Sequence, residues 1–158
     1  MKEKVDKLVA WLQQQVKETG AKGLIVGVSG GIDSAVVANL IKRATPENSL
    51  GVILPCKSNP QDIEHAKKVI DKAGIDSLTV DLTETHNNLF TSIQIELDKN
   101  KQLNTEQQQL ADANLRARLR MSTLYALAAN YNYLVVGTDN AAEWYTGYFT
   151  KFGDGGVD

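Results

Sequence analysis

The chain reads as an α/β protein built on a parallel sheet, and three features of its 158 residues lead there. Short apolar runs of strand length alternate with longer stretches of helical periodicity, the pattern of strand–helix–strand units joined by right-handed crossovers. The first apolar run breaks at a glycine turn, Ser29-Gly30-Gly31, directly before a helical stretch. The composition is that of an ordinary globular domain, 42% hydrophobic and 23% charged, with length enough for a sizeable core. A single domain over residues 1–158 is expected, with no internal repeat, low-complexity tract or domain-scale linker.

Taken in order, Val5, Leu8, Val9, Leu12 and Val16 recur at helical spacing, so Lys4 to Thr19 reads as an amphipathic helix ended by Gly20, with Trp11 packed into the core beside the stripe. Leu24 to Val28 reads as a buried strand and Ser34 to Ile41 as the helix after the glycine turn. The turn cluster Thr45-Pro46-Glu47-Asn48 precedes a second strand, Leu50 to Leu54. Asn59 and Pro60 open a helix as N-cap and first helical residue. It carries Ile63, Ala66, Val69 and Ile70 inward and ends at Gly74. Ser77 to Leu82 is the third strand, and Leu89, Ile93 and Leu97 mark a helix within Thr83 to Lys99. Asn100 to Gln109 is polar and reads as a loop; Leu110 to Asn130 is a long helix with Ala113, Ala117, Met121, Leu124 and Ala128 along one side. Tyr133 to Gly137 is the fourth strand. Beyond it aromatics, acids and glycines mix without a period, at a strand carboxyl end where open α/β sheets place ligands.

Several function classes are disfavoured at once. A net charge of −2 supplies no basic field for nucleic acid or anionic membrane. No apolar run approaches membrane-spanning length, and Met1-Lys2-Glu3-Lys4 leads into a helix, not a signal peptide. Cys56 is the only cysteine, which excludes an intrachain disulfide and a cysteine metal cluster. His65 and His86 sit among polar residues and read as surface side chains.

The segment from Gly27 through Val28, Ser29, Gly30, Gly31, Ile32 and Asp33 to Ser34 carries the chemistry. Strand, glycine turn and helix start form a site for phosphate: the backbone approaches an anion closely, and the first helical turn adds unpaired N–H groups and a positive dipole end. Ser29 and Ser34 bring hydroxyl donors. Asp33 would repel phosphate directly and fits instead as a ligand for Mg²⁺ bridging to it. The loop lacks the Gly-Lys-Ser/Thr ending of a kinase-type P-loop and does not match the dinucleotide fingerprint G-x-G-x-x-G.

Ser-Gly-Gly-Ile-Asp-Ser resembles the pyrophosphate loop of the N-type ATP pyrophosphatases, which cleave ATP between the α- and β-phosphates. Three further blocks follow in order: Asn114-Leu115-Arg116-Ala117-Arg118-Leu119-Arg120-Met121; Gly137-Thr138-Asp139 with Glu143; and Thr146 to Asp158, ending Gly153-Asp154-Gly155-Gly156-Val157-Asp158. Together they are similar to the ammonia-dependent NAD synthetase family from Gly20 to Asp158.

The resemblance implies an adenine nucleotide α-hydrolase-like, Rossmann-like three-layer sandwich. It implies adenylation of the nicotinate carboxylate of deamido-NAD⁺ by Mg-ATP, then amidation by ammonia. Carried over by position, residues 27–34 and Thr138 bind ATP, Asp33 and Glu143 bind Mg²⁺, and Arg118, Lys151 and Asp158 contact deamido-NAD⁺. It further implies a homodimer, with Thr83 to Lys99 and Leu110 to Asn130 as candidate interface, and a cytoplasmic location. Family members continue past the last block, so a chain truncated at its C-terminus is expected. The competing readings are a GMP-synthetase-like or tRNA-modifying adenylase, or a nucleotide-binding module without turnover. Arg116 and Arg120 receive no role. Trp144, Tyr145, Tyr148, Phe149 and Phe152 stand equally as a core lid or as a stacking surface.

Overall fold

The computed structural model describes all 158 residues. Four strands, β1 (Gly23–Gly27), β2 (Ser49–Ile53), β3 (Asp76–Thr79) and β4 (Tyr133–Val135), pair in parallel in the order β3-β2-β1-β4. The helices are α1 (Lys2–Thr19), α2 (Ile32–Ala44), α3 (Pro60–Ala73), α4 (Thr83–Lys99), α5 (Gln108–Tyr131) and α6 (Ala141–Thr146). None is long and apolar enough to cross a membrane.

Alternation along the strands divides the core. Leu24, Val26 and Val28 face α1, α2 and α3, where they join Leu12, Ala38, Ile41, Ala66 and Ile70. Ile25, Leu50, Val52, Leu54 and Val135 face the other way, towards Leu82 and Ala128 of the α4–α5 side. Side chains two residues apart share a face of a strand, so each strand feeds both cores. The result is the expected three-layer α/β/α sandwich. Gly51 lets α3 settle onto the sheet: a Cβ there would lie 2.8 Å from Ile75 Cδ1 and 3.1 Å from Ile70 Cγ1.

The helix starts follow local chemistry. Asn59 caps α3, its side chain accepting from the Gln61 N–H at 3.0 Å, with Pro60 beginning the helix. Gly20 and Gly74 end α1 and α3 in the left-handed conformation.

Five expectations need correction. Trp11 is 52% exposed, because the buried stripe of α1 centres on Leu12 and the indole falls outside it. His86 is fully buried at 0% exposure: α4 turns it inward, and Leu89 and Ile93, three and seven residues further on, flank it on the same side of the helix at 42% exposure each. Strand β3 ends at Thr79, since Asp81 accepts from the Thr83 N–H at 2.8 Å and starts the turn into α4. The polar stretch 100–109 contains a 3₁₀ turn, Thr105–Gln107, and the first two residues of α5. Finally, α6 rises where no period was visible.

Candidate functional site

Strand β1 lies between β2 and β4, and the chain runs from β1 outward to β3 before returning to β4. This reversal opens a crevice at the carboxyl ends of β1 and β4, the place where such sheets bind ligands. A cavity of about 380 Å³ occupies it. Its walls come from the end of β1 (Gly27, Val28, Ser29), the segment after β2 (Leu54, Pro55, Ser58), Ile63 and Ala66 of α3, Arg120, Met121 and Leu124 of α5, and Gly137, Thr138 and the chain end.

The glycine turn closes one rim. Gly30 has φ of +88°, and a Cβ there would lie 2.6 Å from the Asp62 carbonyl oxygen and 2.9 Å from His65 Cβ, so the turn packs backbone-to-backbone on α3. Two serine hydroxyls brace it. Ser34 Oγ donates to the Gly31 carbonyl at 3.0 Å and accepts from the Ser29 N–H at 3.2 Å; Ser29 Oγ accepts from the Gly31 N–H at 3.2 Å and lies 3.1 Å from Ser34 Oγ. Ser34 is buried, with its one proton held inside the turn, so Ser29, which is exposed, is the hydroxyl able to face a ligand. Gly31 caps α2 without any side-chain bond, which leaves the first-turn amides of Ile32 and Asp33 open to an anion.

Of the residues singled out by sequence, Gly27, Val28, Ser29 and Thr138 line the cavity, while Gly30 to Ser34 form the rim beside it. Glu143 lies in α6. There Asn140 accepts from the Ala142 and Glu143 N–H groups at 3.0 Å each, and Glu143 Oε2 accepts from the Asn140 N–H at 2.9 Å. This reciprocal cap fixes the carboxylate by one oxygen and leaves the other free. Asn140-x-x-Glu143 was the available signal for α6.

Arg118, Lys151 and Asp158 tie the chain end to the body. Arg118 Nε donates to the Lys151 carbonyl at 3.2 Å, and the Lys151 ammonium stands 5.0 Å from the Phe152 ring centre. Asp158 Oδ2 accepts from the Val135 N–H at 2.8 Å, Asp158 Oδ1 accepts from the Tyr125 hydroxyl at 3.2 Å, and the Asp158 N–H donates to the Val135 carbonyl at 3.2 Å. Asp158 thus extends the open edge of β4. Trp144, Tyr145, Tyr148 and Phe152 are between 64% and 94% exposed, which removes the core-lid reading. Trp144 stacks on Phe149 at 5.0 Å.

Sequence reasoning missed two residues. Arg120 reaches into the cavity, its Nε donating to the Leu54 carbonyl at 3.0 Å and its Nη2 to Ser58 Oγ at 3.4 Å. Burial lowers its pKa from the ordinary arginine value, and the nearby Arg116 adds to this. The spacing held the clue: Arg116 and Arg120 are four apart and share a helix face, whereas Arg118 points away. Asp139 is the second. Its carboxyl is pushed above the usual range by burial and by the charges of Asp154 and Glu143. These carboxylates repel one another without converging into a metal cage, and no group of three or more His, Cys, Asp or Glu side chains is arranged to hold an ion.

A braced glycine loop at the end of β1, an uncapped helix start and a cavity at the switch point define a parallel α/β protein with its crevice where such sheets take ligands. The NAD synthase family model matches residues 4–158, and the chain belongs to that family. The NH(3)-dependent NAD(+) synthetase of Alkaliphilus oremlandii is 60% identical over 154 residues, which cover 98% of this chain and 62% of that protein. Two solved structures superpose closely. The NMN synthetase of Francisella tularensis is 39% identical with a TM-score of 0.85, over 99% of this chain and 62% of the other. The NH3-dependent NAD synthetase of Campylobacter jejuni, in complex with nitrate ion, is 32% identical with a TM-score of 0.83, over 97% and 62%. The chain therefore spans about 62% of the length of these relatives.

Proposed function

We propose that this chain carries the ATP-binding and adenylating part of an ammonia-dependent NAD synthetase. The observation that carries this reading is the glycine loop opening directly onto the switch-point cavity, in a chain of the NAD synthase family. ATP places its phosphates on the Ser29–Asp33 turn and its nucleoside in the cavity, with Thr138 on the wall. The Gly30 to Asp33 backbone gathers the pyrophosphate that departs, while Ser34 keeps the turn in shape.

The nicotinate carboxylate of deamido-NAD⁺ attacks the α-phosphorus, forming an acyl-adenylate and releasing pyrophosphate. Ammonia then adds to the acyl carbon; AMP leaves with the C–O bond electrons, a proton is lost, and the amide remains. Arg118 and Lys151 supply cationic donors to the anionic substrate. Asp158 serves the substrate indirectly, by holding the chain end against β4. Asp33 and Glu143 are the residues that would hold Mg²⁺, since carboxylates offer the hard oxygen donors that ion takes. An ion bound there would supply positive charge beside the phosphates.

The reading extends to a homodimer formed through α4 and α5 and to a cytoplasmic location. Family membership displaces the GMP-synthetase-like and tRNA-modifying alternatives. Nucleotide binding without turnover stays as the second reading.

The deciding experiment incubates the 158-residue chain with Mg-ATP, deamido-NAD⁺ and ammonium chloride and measures NAD⁺ and pyrophosphate. Equal amounts of both establish synthetase activity. ATP bound without pyrophosphate establishes the second reading. A parallel incubation with nicotinate mononucleotide decides whether this chain shares the product named for the Francisella relative. Asp33→Asn is expected to weaken Mg-ATP use at least tenfold with little effect on deamido-NAD⁺, and Lys151→Ala to do the reverse. Equal effects of both changes on both ligands would contradict these roles.

A further inference from the structure

Outside the phosphate loop and the chain end, the structure holds one further cluster of charged side chains, on α5 beside the start of α4. Asp112 stands at its centre. Its Oδ1 accepts from the Lys57 ammonium at 3.1 Å and lies 3.4 Å from His86 Nε2; its Oδ2 lies 2.7 Å from Arg116 Nη2. His86 is fully buried, stacks on Phe90 at 5.5 Å, and has no hydrogen-bond partner on either ring nitrogen. Burial alone would push the Asp112 carboxyl up, but the Lys57 hydrogen bond and the charges of Arg116, Lys57 and His86 outweigh it and hold the carboxyl below its ordinary range. The carboxylate is therefore a firm anchor.

What it anchors is a strained segment. Lys57 sits between β2 and α3 with φ of +56°, left-handed backbone that a lysine rarely adopts. Its N–H donates to Thr83 Oγ1 at 3.3 Å, and the neighbouring Cys56 N–H donates to Ser58 Oγ at 3.2 Å. The residues on either side, Leu54, Pro55 and Ser58, form one wall of the cavity. Arg120 pins that wall from inside, through the Leu54 carbonyl and Ser58 Oγ. Asp112 pins it from outside, eight residues earlier on α5.

We infer that Asp112 is a positioning residue for the nucleotide cavity: through Lys57 it holds the segment after β2 in the conformation that makes the cavity wall. The geometry of the wall stands on the structure alone; its effect on ATP rests on the function proposed above.

The test therefore has two readouts on the 158-residue chain: hydrogen exchange at the Cys56 and Lys57 amides without ligand, and Mg-ATP affinity by calorimetry. Asp112→Ala removes the anchor. Lys57→Met keeps the apolar stem at an exposed position and removes only the charge, so it reads the same contact without leaving Arg116 and His86 unpartnered. Both variants are expected to speed exchange at Cys56 and Lys57 about fivefold relative to the β1 amides, and to weaken Mg-ATP binding about fivefold, the scale of a partly exposed ion pair. The double variant is expected to be no worse than Asp112→Ala, since the two act as one unit. Lys57→Arg restores both readouts.

Unchanged exchange at Cys56 and Lys57 in Lys57→Met overturns the inference, whether or not ATP binds. So does faster exchange spread over the whole chain in Asp112→Ala with none in Lys57→Met, because Asp112 would then serve general stability. Local exchange that quickens in both variants, in a chain that binds no ATP, upholds the anchor and removes the nucleotide reading instead.

Discussion

At the scale of single residues, Gly30 separates two effects that usually come mixed. Its φ is +88° and its missing side chain is where the Asp62 carbonyl lies. Gly147 shares the left-handed dihedral, at +71°, with nothing within 4 Å of a Cβ. Gly147→Ala therefore measures the dihedral alone, about 1–2 kcal/mol. Gly30→Ala adds a clash with the α3 backbone that no rotamer relieves. The expected result is a larger fall in Tm for Gly30→Ala, with Mg-ATP binding lost in that variant and kept in Gly147→Ala. Equal behaviour of the two in melting and calorimetry would remove α3 from the account of the loop. Asp139 gives a second expectation, in pH. Its carboxyl is raised in the folded state by burial, Asp154 and Glu143, so the folded protein holds that proton more tightly than the unfolded chain. Stability is lost as pH rises through the window between the ordinary aspartate value and the raised one. Asp139→Asn is expected to melt higher than the parent at pH 7, with the difference closing at about pH 3. A Tm gap independent of pH would show that the carboxylate's charge is not the cause.

At the scale of elements, legibility follows the range of the interactions. The glycine turn and α2 were legible because strand, turn and helix start are contiguous, and the signal lies within Gly27 to Ser34. Asn59-Pro60 announced α3 for the same reason. His86 was illegible: its burial depends on α5 arriving with Asp112 from 26 positions further along the chain. Arg120 was likewise unreadable, because its partners are the Leu54 carbonyl just after β2 and Ser58, reached only once the sheet has formed. The period of Leu89, Ile93 and Leu97 made α4 legible as a helix, but how deeply each would be buried depended on α5, and Leu89 and Ile93 are left half exposed at 42% each. Helix α6 was the avoidable omission, since Asn140 and Glu143 carry a capping pattern even though six residues show no period. That cap links an element to the site. Asn140→Ala removes the acceptor for two N–H groups, about 1 kcal/mol, which corresponds to a Tm drop of about 2–4 °C in a chain of this size. Under the proposed function Mg-ATP use also weakens, because Glu143 loses the turn that orients it. A Tm drop with metal dependence unchanged would place Glu143 outside the metal site.

At the scale of the whole molecule, a half-exposed apolar flank of α4 remains to be satisfied. Leu89 and Ile93 lie four apart on one flank of α4, each 42% exposed, and Leu110, at the start of α5, is 58% exposed. Scattered apolar residues on a surface need no explanation, but half-exposed apolar residues at helical spacing form a stripe of the kind that mediates association. A second copy of this chain would place like faces together under two-fold symmetry, where each apolar residue meets another without a charge being buried. The α1 and α2 side also exposes Trp11, Ile32 and Val36, so the two surfaces compete as interfaces and must be separated by mutation. Ile93→Asp puts a charge in the centre of the α4 patch at a position open enough to leave the monomer's core intact. Sedimentation velocity is expected to show a dimer for the parent and a monomer for Ile93→Asp, with the two sharing one Tm when extrapolated to low concentration, since dimerisation adds stability only by mass action. A parent dimer that survives Ile93→Asp but dissociates with Val36→Asp would move the interface to the α1–α2 side. A monomeric parent would show that residues 1–158 do not by themselves complete a self-complementary surface.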